Sequence, residues 1–306
     1  MTPSVAELGK KLILACCTGS ISSLRGLLNE APSFPPQSLP TDQYLLQTAA
    51  REGQADCLRF LFDHLPGCAR TPNKWDPPLP EGLTYTDIPK KWRIYDDGVI
   101  HEAIAGQNPV GIFEVFFDYE MSPDISLERA GSPLAQAVAR NQLDLATYLL
   151  SKGADPNEDS TFNKDTILGA AARLPTPDLL LVLLEHRASV VGSQALRQAA
   201  QYGRIRNAEI LLQNGANVDE MFTKSKYDAN MKPTEVPWGC ALHFAVGGGV
   251  LHYEHVDSQS EFVRFLLQQG ARVDCLDEAG ETPLQKAKRL IKTDIVEVFE
   301  DFSSQE

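Results

Sequence analysis

The sequence predicts an all-α protein built as an array of helix–turn–helix units. Three observations predict it. A block of 25 residues recurs without a gap, as PLAQAVARNQLDLATYLLSKGADPN (133–157) and ALRQAAQYGRIRNAEILLQNGANVD (195–219). A small anchor residue recurs at Ala15, Ala49, Ala103, Ala137, Ala171, Ala199, Ala245 and Ala287, with three of the seven spacings equal to 34. Each of the two blocks reaches Gly-Ala 16 residues after its anchor, at 153 and 215. Self-similarity at such a period signals a repeat architecture.

Each element of the unit has a physical reason. The first segment, LAQAVA or LRQAAQ, offers a face of small residues on which a neighbouring helix can pack closely. A break follows at Gly53, Asn141 or Gly203. The second segment places Leu143, Leu145, Ala146, Leu149 and Leu150 at helical spacing. Gly153, Gly215 and Gly270 come just after it, where a left-handed C-cap favours glycine. One such pair cannot bury its apolar faces alone, but stacked pairs can.

These features resemble the ankyrin repeat family. AGETPLQKA (279–287) carries the family's opening signature almost intact, CALHFA (240–245) is a variant, and GSPLAQA (131–137) another. GADPN, GANVD and GARVD match its unit endings. The resemblance runs from about Val5 to Phe302 and implies one ankyrin-repeat domain over 1–306. It implies a solenoid of about eight units with a concave binding face. Degenerate caps are expected at about 5–36 and 279–302. The link between the units of Ala171 and Ala199 is short against the family period, which implies that its projecting finger is lost.

Elsewhere there is excess length. From Gly270 to Gly280 is ten residues, but from Gly215 to Trp238 it is 23, leaving 13 extra in a finger. About 21 more lie between Leu65 and Asp96, and nine between Ala245 and Gly270. Insertions are therefore expected at about 66–96, 222–238 and 248–260. Repeat arrays place insertions on one face, often the binding face. All three tryptophans, Trp75, Trp92 and Trp238, lie in or at the edge of the fingers, with Tyr85, Tyr95 and Tyr227. Two readings stand: the aromatics pin each loop to its own repeat, or they face a ligand, since Trp and Tyr dominate interface hot spots.

The resemblance also implies that the two residues after the small pair face the groove. These include Arg51, Arg140, Arg173 and Tyr202. Arginine grips carboxylate and phosphate through a bidentate fork, unless each Arg pairs with an acidic neighbour such as Glu52.

The stretch LHYEHVD gathers His252, Tyr253, Glu254, His255 and Asp257 as weak acid–base candidates. No third distant ligand is evident, so no metal site is expected, and no cofactor fingerprint is present. His101 and His243 sit at the signature His position and are expected to bond backbone in the turn.

The global numbers narrow the partners. A net charge of -13 argues against nucleic acid. Six cysteines without a C-x-x-C pair suit reduced thiols, and LILACC is too short for a span or a signal h-region. A cytoplasmic protein without membrane contact is expected. Its expected role is a scaffold for another protein or peptide, an acidic one matching the groove arginines. The alternative is an isomerase, cyclase or hydrolase whose insertions close a pocket over a small apolar or carboxylated molecule.

Overall fold

The computed structural model describes residues 4–31, 39–65, 97–127, 130–158, 166–227, 231–248 and 258–304. Among them are sixteen helices and two strands. The chain divides into two compact units, one mainly Met1–Ala137 and the other mainly Asp155–Glu306.

In the first unit, α1 (Val5–Thr18), α3 (Asp42–Arg51) and α5 (Asp97–Ala105) pack side by side as an inner row. An outer row follows from α2 (Ile21–Glu30), α4 (Ala55–His64) and α6 (Pro109–Asp118). Hydroxyls start the helices: Ser4 caps α1 and Thr41 caps α3 by accepting a backbone N–H. Leu8, Leu12, Leu24, Leu58, Ile100, Phe113 and Phe116 fill the space between the rows. Gln54 donates to the Cys17 carbonyl at 3.0 Å, tying one turn to the next. α7 (Pro133–Ala139) and α8 (Leu143–Ser151) fall at the division between the units.

In the second unit, α9 (Ile167–Ala172), α11 (Ala195–Gln201), α13 (Ala241–Gly247) and α15 (Pro283–Arg289) are inner helices, each packed on the next. Their partners are α10 (Asp178–Glu185), α12 (Ile205–Gln213), α14 (Gln259–Gln268) and α16 (Thr293–Ser303). The signature residues are N-terminal caps. Thr166 accepts the Gly169 N–H and donates to the Ser193 carbonyl, and Thr282 with Gln285 forms a capping box.

Gly215 and Gly270 stand at φ 93° and 82°, past their helices as the sequence predicts. All eight anchor alanines are buried, Ala15 at 4% exposure and the rest at 0%. Two glycines at the ends of inner helices, Gly106 and Gly248, are points of close approach. A side chain at Gly106 would put its Cβ 2.6 Å from the Arg51 carbonyl oxygen, and one at Gly248 would stand 2.3 Å from that of Gln201. These glycines let α5 settle on α3, and α13 on α11.

The insertion expected at 222–238 is not a plain loop: part of it is a β-hairpin. β1 (Phe222–Tyr227) pairs antiparallel with β2 (Pro233–Gly239). The insertions at 66–96 and most of 248–260 lie outside the described residues.

Candidate binding surface

The hairpin is fixed by its last residues. Thr223 pairs with Pro237 and Phe222 with Gly239, so Trp238 is the extra residue of a bulge. Bulges re-aim side chains, and this one turns Trp238 onto α13. Its ring meets Phe244 edge-on at 5.0 Å and 88°. Phe222 meets Phe244 the same way at 5.7 Å.

Beneath them lies Arg197 of α11, only 4% exposed. Its Cζ is 4.7 Å from the Trp238 ring centroid and 5.5 Å from that of Phe244. Its Nε donates to Gln194 at 3.0 Å and Nη1 to Gln201 at 3.3 Å. A desolvated cation on an aromatic face is worth about 2 kcal/mol. Lys224 approaches Trp238 at 5.8 Å, and Lys224 and Lys226 both pair with Glu278 of the next finger. Hydrogen bonds from Lys224 and then Lys226 hold the Glu278 carboxyl below the usual range.

His243 behaves as the signature implies. Its Nδ1 accepts the Cys240 N–H at 3.2 Å, and its Nε2 donates to the Glu281 carbonyl at 2.9 Å. Burial pushes its pKa down, against the raising effect of its hydrogen bond to the Glu281 carbonyl. Among the described residues, the Nδ1 of His101 meets the side-chain oxygen of Gln136 at 3.1 Å. Burial pushes the Cys240 thiol up to about 11, making it an inert core group.

The ends of the inner helices carry the remaining predicted residues. Arg51, the last residue of α3, faces Glu52 at 3.7 Å and Glu102 of the next repeat at 4.0 Å, so its charge is already paired. Arg173 and Tyr202 are each the first residue beyond their helices, α9 and α11, and both are half-buried. Arg140, just after α7, is exposed. Among the described residues none of these three side chains has an ion pair or hydrogen bond. The backbone under Arg173 is pinned: Arg204 donates to its carbonyl at 3.0 Å, and Asn207 donates to those of Ala172 and Leu174. Sequence reasoning missed Arg197, Arg204 and Asn207, whose polar side chains gave no hint of burial.

Trp75, Tyr85, Trp92 and Tyr95 lie outside the described residues, as do His252, Tyr253, Glu254, His255 and Asp257. Of Tyr227 only the backbone, closing β1, is described. No group of three or more His, Cys, Asp or Glu among the described residues could hold a metal, and no described helix is long and apolar enough to cross a membrane. The first unit contains a half-open cavity of about 650 Å³ lined by Leu12, Arg25, Leu28, Leu45, Phe60 and His64, among others. His64 stacks on Phe60 at 4.0 Å, and Arg25 lies 5.2 Å from the same ring.

Comparison with known proteins matches residues 134–222 to the family of ankyrin repeats, in three copies. The chain is 33% identical over 113 residues to the transient receptor potential channel pyrexia of Drosophila melanogaster. It is 29% identical over 126 residues to alpha-latrocrustotoxin-Lt1a of Latrodectus tredecimguttatus. These stretches are 35% and 38% of this chain but only 12% and 8% of the relatives. A crystal structure of EF0377, an ankyrin repeat protein, superposes with a TM-score of 0.51 at 24% identity. That match covers 67% of this chain and 98% of the other, and it speaks to fold alone.

Proposed function

We propose that this chain, an ankyrin-repeat protein, is an interaction scaffold whose second unit binds a peptide segment of a partner protein along the C-terminal ends of its inner helices. Ankyrin repeats are generally protein-interaction scaffolds. The observation that carries the reading is the contrast between Arg51 and Arg173. The first is neutralised by Glu52 and Glu102, while the second is held on a pinned backbone with its guanidinium unspent among the described residues. Such a group suits a carboxylate, worth about 1.5–3 kcal/mol as a charge-assisted contact. Trp238 serves this surface as an anchor for the adjoining finger, because its ring is already committed to Arg197 and Phe244.

Selection of a displayed random peptide library on the full chain tests the reading. Enriched peptides should carry acidic residues, and Arg173→Ala with Tyr202→Ala should weaken their binding at least about tenfold while the protein stays folded. Failure to enrich any peptide, or equal binding by the double variant, would overturn it.

A second reading rests on the cavity of the first unit, whose volume falls in the range of ligand pockets. Its apolar side chains with Arg25 and His64 offer a place for a small carboxylated molecule, with Asp42 of the same lining opposing it. An aliphatic carboxylic acid should then raise the melting temperature, and Arg25→Ala should abolish the rise. No rise with the unaltered chain would remove this reading.

A further inference from the structure

Two fingers of the second unit are tied together: the hairpin finger that follows α12 and the shorter one that follows α14. Near their starts the Arg272 N–H donates to Asp219 at 2.8 Å. On the flank Glu278 takes Lys224 and Lys226 of β1. At their close His243 Nε2 donates to the Glu281 carbonyl at 2.9 Å. Each finger also contributes a cysteine. Cys240 is 2% exposed and Cys275 8% exposed, and their thiols are hydrogen-bonded to one another.

His243 is the third member of this cluster. A carbonyl only accepts, so the ring proton sits on Nε2 and Nδ1 keeps its lone pair. That lone pair accepts the Cys240 N–H and also faces the Cys240 sulfur at 3.2 Å. The helix cap alone does not call for sulfur here: Thr166 and Thr282 hold the same position before α9 and α15. A base, a thiol and a second thiol therefore meet at one point.

The two sulfurs differ in access. Cys275 is the one buried residue from Arg272 to Gly280, and its neighbours Asp274 and Leu276 are exposed. A small oxidant has a short path to it. Cys240 sits at the start of α13, and burial pushes its thiol up, so it does not react with solvent reagents unaided. An oxidised sulfur beside it needs no solvent path.

We propose that Cys240 and Cys275 form a hydroperoxide-sensitive dithiol site, in which Cys275 is oxidised first and Cys240 closes a disulfide with His243 as proton acceptor. The Cys275 sulfur attacks one oxygen of hydrogen peroxide and the O–O bond breaks. The departing hydroxide takes the thiol proton as water, leaving a sulfenic acid. The Cys240 sulfur then attacks the Cys275 sulfur and passes its proton to His243 Nδ1. The S–O bond breaks, and the hydroxide leaves with that proton as a second water. Two thiols lose two electrons, and the peroxide gains them. The site is independent of which ligand the chain binds.

The first unit supplies an internal control. Cys16 and Cys57 are also bonded to one another, but they are 0% and 1% exposed, and among the described residues no histidine bonds either sulfur.

The full chain is treated with hydrogen peroxide, its remaining thiols are alkylated, and the digest is read by mass spectrometry. A Cys240–Cys275 bridge should appear before any Cys16–Cys57 bridge and disappear with dithiothreitol. The bridge joins positions 35 apart, so the oxidised chain should melt about 5–15 °C higher and return on reduction. Cys240→Ser should stop at the sulfenic acid and trap dimedone on Cys275, while Cys275→Ser should leave Cys240 unmodified. His243→Asn should slow bridge closure at least about tenfold. The same change placed in Cys240→Ser should leave dimedone trapping on Cys275 unaltered, which separates lost base chemistry from a disturbed fold.

The proposal is overturned if Cys240 and Cys275 stay alkylatable while other cysteines oxidise. It is equally overturned if Cys240 is oxidised in Cys275→Ser, or if bridge closure keeps its rate in His243→Asn. A Cys16–Cys57 bridge forming first would show that adjacency alone selects the pair, and the assigned roles would fall.

Discussion

After α12 the chain runs from Asn214 to Cys240 before the next inner helix begins; after α14 it runs only from Gln269 to Thr282. The shorter finger is closed by one side chain: Asp277 accepts the N–H groups of Ala279 and Glu281, and its own N–H bonds the Glu281 carbonyl. The longer finger cannot be held that way. It forms a two-stranded hairpin, spends a bulge at Trp238, and stacks that ring on a buried arginine of the preceding inner helix. A local hydrogen-bonded turn holds a short loop, whereas a long one needs an anchor in the stack. Long loops cost little in closure entropy, so the anchor rather than the length sets stability.

Removing the anchor should therefore be the most damaging change to the longer finger. Trp238→Ala should destabilise the second unit by about 2–4 kcal/mol, from lost packing and the stranded Arg197. Replacing Thr223–Pro233 by a short Gly-Asn linker should shift the thermal melt by only a few degrees. Equal losses would show that the strands themselves hold the finger.

The contact below the finger comes next. Gly248→Ala drives a Cβ into the Gln201 carbonyl and should cost about 1–3 kcal/mol in denaturant unfolding. Gly215→Ala meets nothing within 4 Å, and strain at its φ of 93° alone should cost about 1–2 kcal/mol. A larger loss at Gly215 would mean that backbone conformation outweighs helix approach in this array.

How much of this could be read from the sequence depends on the residue. The anchor alanines were legible because a helix face that must approach another tolerates only small side chains at a fixed period, and all eight are buried. The caps were legible in the Thr-Pro signature. The hairpin was not, because FTKSKY and PTEVPW carry prolines and charges without a continuous apolar face. Trp238 was visible as a residue of interest, but its direction depends on a bulge that only the pairing register reveals. Arg197 was hidden because burial of a guanidinium depends on rings that lie 41 and 47 positions away in sequence. The same limit applied at Arg51, whose second partner Glu102 belongs to the next unit of the array.

His243 joins the two fingers, accepting at the end of one and donating to the Glu281 carbonyl in the other. Its folded pKa is depressed, so the unfolded chain takes up the proton first as pH falls. Its contribution is complete above the ordinary value of 6.5 and declines as pH drops from there toward the folded value. Urea midpoints measured across that window should fall with pH, and the slope should flatten in His243→Asn. An unchanged slope would mean that other groups set the pH response.

The smallest expected effect runs the other way. Ile291→Gly relieves a left-handed β-branched residue but adds chain entropy, for a net gain of about 0.5–1 kcal/mol. A loss of stability would show that Ile291 is packed into the last unit rather than displayed.

Hydrogen exchange of the full chain, with and without a library-selected peptide, bears on the central claim most directly. If the second unit binds along its inner-helix ends, protection should rise around Arg173, Tyr202 and Leu290–Ile291. The hairpin tip should change little. Protection confined to the cavity residues of the first unit, Leu12 to Leu65, would contradict the account.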